Sequence, residues 1–187
     1  AKLLKPHIPK SKKARSGDFG EILATELAEN LLGFRVPIRR LRWKDDPNMA
    51  LRGDDIIAIR KDSNGTLILL KGESKSRITL SSTVVSEAAK SLDRTHGRPS
   101  RHSVLFVAER LREQGNDKLA KELEEAVIQS FRNIILEHML FTLSGNNPKT
   151  SLKNHLTSII RRRVPRHAIG IRIKDHGAFI ELIFSGI

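Results

Sequence analysis

Asp55, Glu73 and Lys75 are the residues whose types and spacing could do chemistry. They lie around a predicted β-hairpin. Two runs rich in Ile and Leu, at residues 54–60 and 66–73, flank Lys61-Asp62-Ser63-Asn64-Gly65. A three-residue loop at 63–65, with Gly65 in the left-handed region, pairs Asp62 with Thr66. Counting back along the strands, Asp55 then faces Glu73 on one side of the sheet, with Cβ atoms within about 5.5 Å. Glu73 and Lys75, two residues apart on a strand, share that side. Asp54 competes for the same role; the pairing and the Gly-x-Asp spacing from Gly53 favour Asp55.

Two carboxylates held so close repel each other unless a proton or a cation sits between them. Magnesium answers that need, since it takes oxygen ligands, keeps several waters, and is held by one or two carboxylates plus substrate phosphate oxygens. Mn2+ could substitute for it. A lysine beside such an ion can orient or help deprotonate an attacking water and offset charge developing on phosphorus. These three groups together suit phosphodiester hydrolysis. The bland alternative is a solvated hairpin end in which Glu73 merely pairs with Lys75 or Lys71.

The elements that must position these residues follow from periodicity. Leu23, Leu27 and Leu31 mark an amphipathic helix from residue 17, with Asp18 as its cap, ending near Gly33. Phe34, Val36 and Ile38 alternate with polar neighbours, which predicts a strand over 33–41 ahead of a loop at 43–51. After the hairpin, Ser81 or Ser82 caps a helix to about Asp93. A buried strand is expected at 104–107, a long helical pattern over 110–143, and a second hairpin from 169–173 and 179–184.

The chain has 187 residues with 39% hydrophobic and 29% charged residues, as in a folded domain with a real core. It has no cysteine, which excludes disulfides, thiolate catalysis and iron–sulfur ligation. The absence of cysteine and of any signal-peptide or membrane-length apolar run reads as a cytoplasmic protein that does not enter the membrane. The first residue is Ala1 rather than Met, which suits a processed or partial chain. The seven histidines show no metal-ligand spacing, and neither a Walker-type phosphate loop nor a GxGxxG run occurs.

Thirty-four Lys and Arg against 21 Asp and Glu leave a net charge of +13, which makes nucleic acid the first candidate partner. Residues 1–16 carry six of these cations and no acid and read as a basic arm, with the folded domain following at 17–187. Lys12, Lys13 and Arg15 in the arm, the strip Arg39, Arg40 and Arg42, and Arg77 beyond Lys75 are the expected nucleic-acid contacts. Arg161, Arg162, Arg163 and Arg166 form a similar basic run. With 4% aromatics and no Tyr, backbone contact fits better than stacking on bases.

Gly53-Asp54-Asp55 followed by Glu73-Ser74-Lys75 resembles the signature of the PD-(D/E)xK nuclease superfamily, although no proline precedes Asp54 and Lys71-Gly72 stand where apolar residues are usual. Gly17-Asp18-Phe19-Gly20-Glu21-Ile22-Leu23-Ala24 resembles the helix that contributes an additional metal-associated glutamate, Glu21 being the matching position. Across residues 17–77 the chain is similar to the nuclease subunit of Hachiman-type anti-phage defence systems. The resemblance implies a restriction-endonuclease-like α/β core, ordered α-β-β-β-α-β, with a helical and β-hairpin C-terminal extension. It also implies magnesium-dependent DNA cleavage, with Asp55, Glu73 and Glu21 as metal ligands, Lys75 as catalytic partner, and a helicase subunit as partner. A junction resolvase or restriction-type enzyme of the same superfamily, and a non-catalytic DNA-binding module, are the alternatives.

Overall fold

The computed structural model describes residues 8–49, 51–157 and 164–185. Its elements run α1 (Lys12–Asn30), β1 (Ile56–Lys61), β2 (Leu67–Arg77), α2 (Ser82–Asp93), α3 (Arg101–Glu113), α4 (Asp117–Ile128), β3 (Ile135–Ser144), α5 (Lys149–Thr157), β4 (Arg166–Arg172) and α6 (His176–Ser185). The four strands form one mixed sheet in sequential order, antiparallel between β1 and β2 and parallel from β2 through β4.

The hairpin has the register expected from its turn, from Lys61 opposite Leu67 to Ile56 opposite Gly72. Gly65 takes φ +81°, which a side chain would resist, and the Asp62 carboxylate accepts the N–H groups of Asn64 and Thr66 at 2.9 and 2.8 Å.

Alternation on β1 and β2 divides the core between two faces of the sheet. Ile57, Ile59, Leu67 and Leu69 pack under α3 and α4, while Ile56, Ala58, Ile68 and Leu70 pack against α1. Strand β3 is buried on both faces: Met139, Phe141 and Leu143 face the α1 side with Ile180 of α6, and Leu140 faces α2 and α5. The result is an α/β sandwich with a helical C-terminal part.

Several expected elements differ. Residues 33–41 make only an isolated bridge, Arg35 to Ile59, before a 3-10 turn at Arg40–Trp43, so the meander has two strands rather than three. Pro37 has no N–H to continue a ladder. Helix α1 begins at Lys12, across the boundary expected at 16/17, because the Ser11 hydroxyl accepts the Ala14 N–H at 3.1 Å. Asp18 therefore lies inside the helix and is not its cap. Residues 104–107 belong to α3, and the pattern over 110–143 divides into the end of α3, α4 and the central strand β3. The C-terminal hairpin is replaced by β4, pairing parallel to β3, and the helix α6. The Ser81 cap of α2 is as expected: its hydroxyl accepts the Val84 N–H at 3.3 Å.

Candidate active site

The acids gather where β1 begins and β2 approaches its end. Asp55 immediately precedes β1 and reaches across the ladder, where its Oδ2 accepts the backbone N–H of Ser74 at 2.8 Å. That bond fixes the carboxylate beside Glu73. Burial, then the charge of Glu73, pushes Asp55 up to about 7, against the opposing pull of the Ser74 N–H, Lys75 and Arg40.

Glu21 approaches from α1. Gly20 makes this possible, since a Cβ there would lie 3.0 Å from both Ser74 Oγ and Ser76 Cβ, so a larger residue would lift the helix off β2. Burial, then Asp55 and Asp18, raises Glu21 to about 8, with Lys44 and Arg40 working in the other direction. Glu73 is 7% exposed; its Oε2 accepts the Ser91 hydroxyl of α2 at 2.8 Å, and its Oε1 is paired with Lys75.

The neighbouring aspartates have different tasks. The Asp54 N–H donates to Ser103 Oγ at 2.8 Å, its Oδ2 accepts the Ser100 N–H at 2.7 Å, and its Oδ1 lies 3.5 Å from Lys71 Nζ. Asp54 thus anchors the start of α3, whereas Asp55 turns to β2. Lys71 is buried, and its ammonium also donates to the carbonyls of Ser91, Leu92 and Arg98, each at 3.1 Å. This clamp holds α2 and the following turn against the strand that carries Glu73.

The cations expected to touch nucleic acid are distributed differently from a strip. Arg39 pairs with Glu26 at 2.5 Å and Glu29 at 2.7 Å. Arg40 is buried, donates to the Arg52 carbonyl at 2.5 Å, and faces Asp54, Glu21 and Asp55, while Arg42 is exposed. Arg40 is therefore a counter-charge to the acids rather than a surface contact. Lys12 pairs with Glu181, Lys13 is exposed, and Arg15 donates to the Pro9 carbonyl at 2.7 Å. Arg77 donates to the Ser76 carbonyl at 2.8 Å. Arg161, Arg162 and Arg163 lie outside the described residues, and Arg166 is committed to Asp93 at 2.5 Å.

Ser91 was not found from the sequence, and Lys71 was read only as a partner for Glu73, not for Asp54. Ser91 orients Glu73 from a helix, and no local pattern marks it. Lys71 lies two residues before Glu73 on the same face, so strand spacing carried a signal for it.

Among the described residues, no three His, Asp or Glu side chains are gathered closely enough to enclose a metal ion. What the site has is an open pair of neighbouring carboxylates, Asp55 and Glu73, with Glu21 behind them. Burial first, and then the neighbouring carboxylates, raise Asp55 and Glu21 against the weaker pull of the surrounding cations. That donor set fits a hard divalent ion that keeps much of its water, provided one Glu73 oxygen exchanges its present partner.

Fold and site together define a mixed α/β protein with an acidic cluster and a lysine at the ends of paired strands. Among the described residues, no helix is long and apolar enough to cross a membrane. The chain belongs to the HamA family, whose profile matches residues 1–187. It is similar to the Hachiman protein HamA of Bacillus cereus, with 28% identity over 179 residues covering 95% of this chain and 62% of that protein. The chain thus spans less than two-thirds of the length of that relative.

Proposed function

We propose that the chain is the nuclease part of a Hachiman-type anti-phage defence system and hydrolyses phosphodiester bonds of DNA with a divalent metal, Mg2+ or Mn2+. The observation that carries this reading is the Asp55 carboxylate, fixed by the Ser74 N–H beside Glu73 and raised to about 7 by burial and that neighbour. Membership of the HamA family and likeness to a Hachiman protein support the defence setting. A helicase partner that feeds or restrains cleavage belongs to the same proposal.

Asp55 and Glu73 would hold the ion, with Glu21 supporting it or a second one. A bound dication supplies an acidified water and polarises the phosphoryl oxygen. Lys75, now paired with Glu73, would orient the attacking water and offset charge developing on phosphorus once Glu73 served as a metal ligand. The water oxygen would bond to phosphorus as the bond to the leaving oxygen breaks, the proton of the water passing to solvent and the leaving alkoxide taking one from solvent. Arg40 limits repulsion among the acids throughout. Residues on both strands keep these groups in place because Lys71 and Asp54 tie β2 and the start of β1 to α2 and α3.

Incubation of the chain with supercoiled plasmid, with Mg2+ or with EDTA, tests the reading. Nicking is expected only with metal, and Lys75→Ala should slow it roughly 100- to 10,000-fold while leaving DNA binding nearly intact. Undiminished cleavage by Lys75→Ala would refute the site. The existing Glu73–Lys75 pair favours one second reading, a non-catalytic DNA-binding module, which would bind equally with metal or EDTA and cut in neither.

A further inference from the structure

A cavity of about 490 Å3 opens where β2 ends, just past the candidate active site. Its walls come from the first turn of α1, the residues after Lys75, and the start of α6. The cations Lys12, Lys13, Arg15 and Arg77 border it, with Glu181 the one acid among its lining residues. The exposed Ile78 and the buried Ile180 give it an apolar side.

Three observations point to an anionic ligand. Lys12, Lys13 and Arg15 sit at the positive end of the α1 dipole with no acid in the first turn, an arrangement that costs energy unless an anion is present. A polar chain lines the wall: Ser16 Oγ lies 2.8 Å from Ser76 Oγ, which lies 2.8 Å from His176 Nε2. His176 is 3% exposed, and its Nδ1 has no hydrogen-bond partner among the described residues. Lys12 is paired with Glu181, and Arg15 is held over the Phe184 ring at 5.6 Å; Lys13 is exposed and Arg77 donates to the Ser76 carbonyl, so neither is paired with an acid among the described residues.

An anion alone does not need an apolar side, and an apolar ligand alone does not need four cations. A nucleotide needs both, and the volume lies within the range that holds a small organic ligand. We propose that this cavity is a subsite for one nucleotide unit, its phosphate taken by Lys13, Arg77 and the Ser16 hydroxyl, its sugar and base lying over Ile78 and Ile180. No Phe, Tyr or Trp lines the cavity among the described residues, so the contact is indifferent to base identity. The inference rests on the nucleic-acid reading above. Ser76 faces α1 and α6 whereas Glu73 faces α2, so the subsite would grip the strand beyond the end of β2, on the other side of the sheet from Glu73.

The test is made in EDTA, so that cleavage plays no part. The whole chain is titrated with deoxyadenosine 5′-monophosphate while backbone amide shifts are followed, and then with a 12-nucleotide oligothymidylate. Saturable shifts at Thr79 and Gly177 are expected, and Arg77→Ala or Lys13→Glu should weaken binding about tenfold and each reduce the salt slope by about 1. Displacement of the mononucleotide by the oligonucleotide identifies a strand subsite; failure of displacement identifies a site for free nucleotides. Absence of shifts at these amides, or unchanged affinity in both variants, overturns the proposal, even if the wild-type chain cuts plasmid. Binding here without metal-dependent cutting would instead leave the subsite standing and remove the nuclease reading.

Discussion

At the scale of single residues, charge that is not fully offset is the main feature of the site. Glu21 and Asp55 are raised to about 8 and about 7 from ordinary values of 4.5 and 3.8. Between those limits the native state holds protons that the unfolded chain has released, so metal-free stability falls as pH rises. His138 acts oppositely: burial lowers it to about 4, its Nε2–H donates to the Gly97 carbonyl at 2.7 Å, and Nδ1 accepts from Arg166 at 3.0 Å. Its contribution is lost as pH falls below about 6.5. Above 6.5 the contribution of His138 is constant, so Glu21 and Asp55 set the slope there. Thermal denaturation in EDTA should show a midpoint that drops from pH 6.5 to 8, and Glu21→Gln should flatten that drop. An equally steep decline in Glu21→Gln would contradict the assignment.

At the scale of elements, the sequence was most legible where a turn fixes register. Asp62 and Gly65 specify the hairpin loop, and from it follows which side Asp55, Glu73 and Lys75 share. Strand β3 was hidden because it is buried on both faces and so does not alternate, and its Ile135 continues the helical stripe of α4. The break between them has no glycine: Ser130 and Phe131 take φ values of 50° and 59°, a conformation that residue type does not announce. Helix α6 was misread for a related reason, since the short apolar run at 179–184 fits either period until Phe179 meets Phe19 of α1, with ring centres 5.6 Å apart. The paired residues Lys71 and Asp54 tie β2 and the start of β1 to α2 and α3. Lys71→Ala strands a buried carboxylate and should cost about 3–5 kcal/mol by urea unfolding, whereas Lys71→Met with Asp54→Asn should cost less than the two single changes combined. Strict additivity would show that the clamp does not exist.

At the scale of the whole molecule, the net charge of +13 favours association with polyanions whatever the chemistry at Asp55. DNA binding alone therefore cannot separate a nuclease from a passive binder, and the class of fold cannot either. The property that distinguishes the proposed nuclease is the binding of a dication among the acids. It is measured most directly by titrating the DNA-free chain with Mn2+ and following free ion by electron paramagnetic resonance. Saturable binding is expected that tightens from pH 6.5 to 8 as Asp55 and Glu21 lose their protons, and that Asp55→Asn or Glu73→Gln weakens roughly 10- to 100-fold while Asp54→Asn preserves it. No saturable binding, or equal binding in Asp55→Asn and the wild type, would contradict the account.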